Sequence, residues 1–278
     1  MTTIVRSGPK TQSTSRLIPG SLRRRGAVGR TVIHLVLLLF SLLCILPILL
    51  VVSISLTGEG EIIRNGYTLW PQRVSFDAYG YIFRQPAQLL TSYGVTFAVT
   101  ICGTAASMLV TSMLAYAISR KDNEFANPLS FYVFLTMLFS GGLVPWYILI
   151  SRTLHMSDTL FSLFVPYLVV PWFVLLMKGF LSTVPMSVIE SAKIDGAGEY
   201  RIFFGIVLPV AKPGLATVAL FMVLMFWNDY WLSLLFIQSS RFVSLQFLLY
   251  RIMANIDFLN SAMASQSGMT GNIRDVPN

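Results

Sequence analysis

Five long segments of the chain are apolar and nearly free of charge, and they constrain the fold more than any other feature. Each holds 18 to 31 residues, and the only charged side chain in any of them is Asp229, in the last. A helix rises about 1.5 Å per residue, so roughly 20 apolar residues cross a bilayer. We therefore predict an all-α, polytopic bundle of five spanning helices at Thr31–Leu56, Leu89–Ser119, Pro128–Ile150, Leu160–Met177 and Pro213–Ile237.

The composition excludes several other classes of protein. Only 12% of the residues are charged and 55% are hydrophobic, whereas about a quarter of a soluble domain is charged. Cys44 and Cys102 lie in apolar segments, so a disulfide framework is not expected. His34 and His155 lack the carboxylate neighbours of a metal site, and no nucleophile–base pair or phosphate-binding glycine loop is present. We predict no metal, no cofactor and no catalytic residues in this chain.

The net charge of +8 is concentrated at the N-terminus rather than spread over a nucleic-acid-binding surface. Residues 1–30 carry seven Lys or Arg side chains and no acid, which is typical of a cytoplasmic tail beside a membrane span. The apolar segment that follows has 26 uncharged residues, longer than the roughly 7–15 residues of a cleavable signal peptide. We predict a retained membrane anchor, a cytoplasmic N-terminus and no nucleic-acid partner.

The basic residues also predict the topology. With the N-terminus in the cytoplasm, 13 of the 20 Lys and Arg residues fall inside and 7 outside, as the positive-inside rule requires. The transmembrane domain then covers residues 31–237, with residues 58–88 as an external loop and 238–278 as an extracytoplasmic segment. Residues 179–212 form a cytoplasmic loop, which is long enough to have a structure of its own.

This cytoplasmic loop contains a helix–glycine–helix pattern. Pro185–Asp195 is predicted to be helical, with proline suited to its start, and Gly196 is suited to the left-handed conformation that ends helices. A second helix is predicted from Glu199 to about Val207, ending near Pro209. We expect the first helix to present Glu190, Ala192 and Asp195 to a partner, and Ser191, Ala192, Gly196 and Ala197 to permit close approach.

The loop also carries a family motif. Glu190-Ser191-Ala192, three residues, Gly196, nine residues and Ile206-x-Leu208-Pro209 resembles the EAA loop of binding-protein-dependent ABC importer permeases, with Ser191 replacing the second alanine. Ile194–Ala197 resembles the carbohydrate-uptake branch. Phe139–Pro145 is similar to permeases for oligosaccharides from complex polysaccharides, such as the acidic polysaccharides alginate and pectin.

The resemblance implies a non-catalytic, multi-pass permease subunit of an ATP-driven sugar importer in the bacterial cytoplasmic (inner) membrane.

 The oligosaccharide would cross the membrane along a path formed with a second homologous permease. The other partners would be two ATPase subunits that bind ATP and Mg²⁺, an extracytoplasmic solute-binding protein and membrane lipid.

By matched position, the residues that couple the chain to the ATPase are Glu190, Ser191, Ala192, Asp195, Gly196 and Ala197. Glu190 would pair with a basic group of the ATPase, and Gly196 would form the bend. Members of the family have a sixth helix after the fifth, and the polar sequence that follows residue 237 lacks a further apolar run. We therefore expect the sixth helix to be missing from this sequence.

Asp229 leaves two interpretations open. A charged group at membrane depth faces protein or water, so Trp227, Asn228 and Asp229 are candidates for lining the solute pathway. Alternatively, Asp229 makes a structural hydrogen bond to a neighbouring helix and the aromatic residues form an interfacial belt. The helix interruptions at Gly141-Gly142, Pro145, Pro166 and Pro171 are likewise either gates or packing kinks.

Two other functional classes compete with an importer subunit. A transporter driven by an ion gradient would favour several ionisable residues inside the membrane and an inverted repeat, but Asp229 is the only charged residue in the predicted spans. A membrane scaffold or receptor would not need a helix–glycine–helix loop with this spacing.

The charge asymmetry makes a direct prediction about topology. A reporter fused after Lys121 or within residues 197–201 should be active in the cytoplasm, and one fused near Gly66 should be active outside. Paired reporters that are active on opposite sides of the membrane measure this directly. Reversed activities at these positions would contradict the assignment of every loop.

Overall fold

The computed structural model describes residues 20–71, 73–77, 79–80 and 86–258. The first part of the basic tail and residues 259–278 lie outside the described residues. The chain divides into two compact units, Met1–Arg84 and Gln85–Asn278. Within the described residues the regular structure is helical, apart from one isolated bridge between Thr57 and Val74. The predicted all-α class is confirmed.

The first unit is dominated by a single long helix. Helix α1 is Gly20–Ser55, and its part Gly29–Ser55 is long and apolar enough to span a membrane. The short helix α2, Glu59–Asn65, follows it. The Ser53 hydroxyl donates a hydrogen bond to the Thr68 carbonyl over 2.9 Å, which ties the end of α1 to the segment after α2.

The second unit is built on helix α3, Pro86–Ser119, the other straight helix that could span a membrane. Helices that associate in lipid use small residues to approach closely and hydroxyls to bond across the interface. The buried face of α3 has this composition, and it packs against helices α6 and α10, which are defined below. Its small residues are Ser92, Thr96, Thr100, Gly103, Ser107, Thr111, Ser112 and Ala115.

The third and fourth predicted spans are broken rather than straight. Helix α4, Ala126–Leu138, meets helix α5, Leu143–Ile148, at an angle of 110° when α5 is taken with the π-helical turn Leu149–Thr153 that continues it. The 3₁₀ turns Leu160–Leu163 and Val165–Tyr167 meet helix α6, Pro171–Leu181, at 54°. The first break contains Gly142, whose φ of +88° favours glycine, and Pro171 begins α6.

The predicted loop helices follow α6. Helix α7 is Met186–Ile194 and helix α8 is Glu199–Ile202. A π-helical turn at Phe203–Val207 leads into the short helix α9, Leu208–Val210. Both predicted helices therefore form, and the second ends close to the predicted proline.

The fifth predicted span is also interrupted. Helix α10, Lys212–Asn228, ends at Asp229, whose backbone is extended, and helix α11 is Trp231–Phe236. A 3₁₀ turn at Ser240–Phe242 follows. The helix that the chain forms next, α12, covers residues 245–258.

Helix α12 is an element that the sequence analysis did not predict. It lies in the segment predicted to be extracytoplasmic, and Arg251 and Asp257 interrupt its apolar residues, so the segment did not stand out as an apolar run. Its first residue is tied to the bundle, because the Leu245 amide donates to Thr96 Oγ1 of α3 over 2.8 Å in a buried position.

The packing of α10 against α6 depends on the absence of a side chain at Gly214. A Cβ atom at that position would lie 2.5 Å from Cγ and 2.6 Å from Cβ of Phe180. These atoms are at the base of the phenylalanine side chain, so rotation about its own bonds offers little relief. The two helices would have to move apart to accept even a methyl group.

We therefore predict that Gly214→Ala destabilises the chain by about 1–3 kcal/mol, the usual cost of overpacking. Thermal unfolding of the purified protein in detergent measures the loss. Gly94→Ala in α3 is the matched control, because a Cβ there meets no atom within 4 Å and alanine is the better helix former. Equal melting temperatures for Gly214→Ala and the wild type would contradict the close approach.

Candidate functional site

Helix α7 has one face buried in the protein core and one face exposed. Ile189 and Ala192 are 4% and 7% exposed and belong to a core cluster that includes Val174 and Met177 of α6. Ile194 is 86% exposed, and Glu190 is also exposed. The helix is therefore anchored through its inner face and free to contact another molecule through its outer face.

The end of α7 is a Schellman motif, a common helix-terminating turn. The Ala197 amide donates to the Ala192 carbonyl over 2.9 Å, and the Gly196 amide donates to the Lys193 carbonyl over 3.0 Å. Gly196 has a φ of +79°, as the sequence predicted for a glycine that stops the helix. A Cβ at Gly196 would meet no atom within 4 Å, so the requirement for glycine comes from the backbone conformation rather than from lack of space.

A cluster of charged side chains joins this loop to the end of α3. Arg120 Nη2 lies 2.5 Å from Asp122 Oδ2, and Arg120 Nη1 lies 3.0 Å from Glu199 Oε2. Lys193 Nζ lies 2.8 Å from Asp122 Oδ2 and 3.2 Å from Glu199 Oε1. The Tyr116 hydroxyl donates to Glu199 Oε2 over 2.8 Å and accepts a hydrogen bond from Arg120. We call these five residues the ionic cluster.

Burial explains why Arg120 needs several partners. Its side chain is 6% exposed, and a buried cation is costly unless charges and hydrogen bonds compensate it. The hydrogen bonds from Arg120 and then Lys193 hold the pKa of Asp122 well below its usual range. The pKa of Glu199 is also lowered, since the hydrogen bonds from Tyr116 and Lys193 and the charge of Arg120 outweigh its partial burial, which raises the pKa. Both carboxylates are therefore ionised at neutral pH.

The structure separates the predicted coupling residues into two groups. Glu190, Ser191 and Asp195 are exposed, and the Ser191 hydroxyl donates to the Ser187 carbonyl of its own helix over 2.8 Å. Ala192 differs from the expectation that it faces a partner, because it lies on the same helical face as Ile189 and packs into the core. Ala197 is partly buried against the same cluster.

The three candidate pathway residues lie together at the break between α10 and α11. The Trp227 ring packs edge-on against Phe97 of α3, with 5.1 Å between ring centroids. Asn228 Nδ2 donates to the Leu224 carbonyl of its own helix over 2.8 Å. Asp229 Oδ2 accepts a hydrogen bond from the Leu232 amide over 3.1 Å, which caps the first turn of α11. This hydrogen bond lies within the predicted fifth span, whereas the structural interpretation of Asp229 predicts one to a neighbouring helix.

The sequence analysis did not select the ionic cluster. In the sequence, the basic residues of these loops serve only as topology signals, and Glu199 only marks the predicted start of a helix. Opposite charges in two loops predicted to lie on the same side of the membrane were the available signal. In the part of the chain that the structure describes, no group of three or more His, Cys, Asp or Glu residues is arranged to hold a metal.

Comparison with known proteins identifies relatives over most of the chain. Residues 18–266 match the family described as binding-protein-dependent transport system inner membrane component. The polygalacturonan/rhamnogalacturonan transport system permease protein YtcP of Bacillus subtilis (strain 168) is 38% identical over 216 residues, which cover 78% of this chain and 75% of that protein. Protein LplC of the same organism is 34% identical over 232 residues, with 81% and 78% covered.

A solved structure shares the fold. It is described as the crystal structure of a bacterial ABC transporter involved in the import of the acidic polysaccharide alginate. One of its chains superposes with a TM-score of 0.76 and 25% sequence identity, and the match covers 87% of each chain.

The ionic cluster predicts an asymmetric response to substitution. Asp122→Ala leaves the buried Arg120 without its closest charged partner, so we expect the loop to be destabilised by about 1–3 kcal/mol. Lys193→Met removes the ion pairs to Asp122 and Glu199. Its effect should be smaller, because each exposed pair contributes about 1 kcal/mol or less. Hydrogen–deuterium exchange of the amides in α7 and α8 measures both.

Glu124→Ala is the matched control, because it changes an acid in the same loop for which the structure shows no ion pair among the described residues. Exchange in α7 and α8 should rise at least about fivefold for Asp122→Ala and stay unchanged for the control. Wild-type exchange rates in Asp122→Ala would mean that the cluster does not hold the loop in place.

Proposed function

Since the chain belongs to the family of binding-protein-dependent transport system inner membrane components, we propose that it is one of two permease subunits of an ATP-driven importer that carries an oligosaccharide into the cell. Proteins of this family are membrane components of a transporter and not its catalytic part, so ATP and Mg²⁺ bind to partner ATPase subunits. The N-terminus is in the cytoplasm, and the solute arrives on an extracytoplasmic binding protein.

The division of α7 into two faces is the observation that carries the coupling role. Glu190 and Ile194 are exposed on a helix whose other face is fixed in the core by Ile189 and Ala192. An exposed isoleucine beside a carboxylate suits a groove on a partner that offers an apolar floor and a basic rim. Movement of that partner would be passed to the membrane helices, because the inner face of α7 belongs to the same buried core cluster as Val174 and Met177 of α6.

The ionic cluster supports the same role from a second direction. Arg120 follows the last residue of α3, and Lys193 belongs to α7. Ion pairs and hydrogen bonds through Asp122 and Glu199 join the two, so a displaced α7 would pull on the end of the long spanning helix. Two independent connections, one apolar and one ionic, would let the loop move with the bundle as a unit.

The solute is proposed from the relatives. The printed name of one relative refers to polygalacturonan and rhamnogalacturonan, and the related solved transporter imports alginate. We assign this importer an oligosaccharide derived from an acidic polysaccharide. Trp227, Asn228 and Asp229 remain candidates for the pathway, with Asp229 acting through the helix start that it caps.

We predict that Glu190→Lys and Gly196→Ala both reduce transport while the helices stay folded. Glu190→Lys reverses the charge expected to meet a basic rim on the ATPase, and loss of a partly desolvated pair costs about 2–5 kcal/mol. Gly196→Ala forces a side chain into a positive φ, at about 1–2 kcal/mol, and shifts the start of α8. Solute uptake into vesicles and co-purification of the ATPase measure both effects.

The chain offers a close control for each variant. Gly198→Ser is the control for Gly196→Ala and lies two residues away. Gly198 has a φ of −70°, and a Cβ atom at Gly198 would meet no atom within 4 Å. Glu124→Lys reverses an exposed charge in the other loop on the same side. Both controls should transport normally. Full transport by Glu190→Lys and Gly196→Ala would remove the main support for a coupling role of this loop.

A further inference from the structure

An open cavity of about 490 Å³ lies where the break between α4 and α5 meets the break between α10 and α11. Its wall combines the break between α4 and α5 with the start of α11. The residues that line it are Ser140, Gly141, Gly142, Leu143, Pro145, Trp146, Leu149 and Trp231. The volume falls in the range of about 300–1,000 Å³ that small-molecule sites occupy, and no charged side chain lines it.

Both breaks lie at a similar distance from the loops that the ionic cluster joins. Helix α4 starts just after Asp122 and has 13 residues, or about 20 Å. Helix α10 starts just after the α7–α9 loop and has 17 residues, or about 25 Å. Since a hydrocarbon core is about 30 Å thick, both breaks fall inside the membrane, towards the side opposite the ionic cluster.

The backbone at the α4–α5 break is irregular and exposed at this depth. Residues 139–142 have no regular secondary structure, and all four are exposed. Irregular backbone at membrane depth is tolerated where it is covered by protein or lines a water-filled cavity, since lipid cannot bond its peptide groups. The exposed peptides therefore indicate a wet surface or a protein contact rather than a lipid-facing one.

The aromatic walls of the cavity are held in place. The Trp146 ring packs edge-on against Phe236 of α11, with 5.4 Å between centroids. The far end of α11 is fixed because the Asp158 amide donates to the Phe236 carbonyl over 2.9 Å and Asp158 Oδ1 accepts the Ser239 amide over 3.0 Å. Trp231, at the other end of α11, keeps 39% of its surface exposed.

We propose that this cavity is a saccharide-binding subsite on this subunit itself, resting on the proposed role of the chain as an oligosaccharide permease. The apolar C–H face of a sugar ring packs on an indole, as aromatic side chains with fixed geometry allow. The Gly142 amide already donates to Ser140 Oγ over 3.2 Å, so the Ser140 hydroxyl proton and the exposed peptide groups of residues 140 and 141 hydrogen-bond the ring hydroxyls. Because no charged group lines the cavity, the site recognises the ring and leaves the carboxylate of a uronic acid in water.

The test uses the complete reconstituted importer, with trigalacturonate and its methyl ester as probes. Gly141→Leu places a side chain in the cavity without a backbone clash, since a Cβ there meets no atom within 4 Å. Its uptake below saturation should fall at least about tenfold, and that of Trp231→Leu about three- to tenfold. Both probes should lose the same factor. Trp172→Leu, an indole 46% exposed outside the cavity, is the control and should transport normally.

Co-purification of the second permease and the ATPase should be unchanged in every variant. Wild-type uptake by both Gly141→Leu and Trp231→Leu would overturn the subsite while leaving the importer role intact. Loss of the second permease from these variants would also overturn it, because the cavity would then be a subunit interface. An importer whose wild-type form takes up neither probe would contradict the proposed solute and the subsite together.

Discussion

Peptide groups inside a bilayer must find their hydrogen bonds within the protein, and the rest of this structure depends on that requirement. It accounts for the long helices α1 and α3, in which almost every backbone group bonds within its own segment. The same requirement restricts where the helices can be interrupted. A break such as the one at residues 139–142 is costly unless the surroundings accept its peptide groups. The bent pairs at 110° and 54° therefore mark positions where the bundle departs from simple membrane spanning.

The helices of the resulting bundle are held together by close approach to one another. A side chain at Gly214 would clash with Phe180, and one at Gly103 would lie tightly against Phe164 and Phe226. Hydroxyls such as that of Thr96 form hydrogen bonds across these contacts. In lipid the exclusion of water contributes little to helix association, so packing and hydrogen bonds carry it. The ionic cluster adds charged contacts outside the spans, where water can still solvate the exposed partners.

The sequence predicted the elements whose signals are local. Apolar length predicts the C-terminal ends of α1 and α3 to within one residue, and the positive φ of Gly196 explains the end of α7. Helix α1 nevertheless begins at Gly20, eleven residues before the predicted Thr31. Local patterns carry no information about direction, so the angle of 110° between α4 and α5 could not be predicted. The pairing of Arg120 with Glu199 joins residues 79 positions apart. Helix α12 was missed because Arg251 and Asp257 lower its hydropathy, although its start packs on the bundle through Phe247 and Leu248.

The two faces of α7 divide its tolerance to substitution into two regimes. A larger or polar residue at Ile189 or Ala192 must be accommodated by the core, so its effect appears as lost folding stability in the isolated subunit. A change at Glu190 or Ile194 meets solvent in the isolated subunit and leaves folding nearly unaffected. Random mutagenesis of this one helix, sorted first for expression and then for transport, would therefore separate into two interleaved sets of positions with the period of an α-helix.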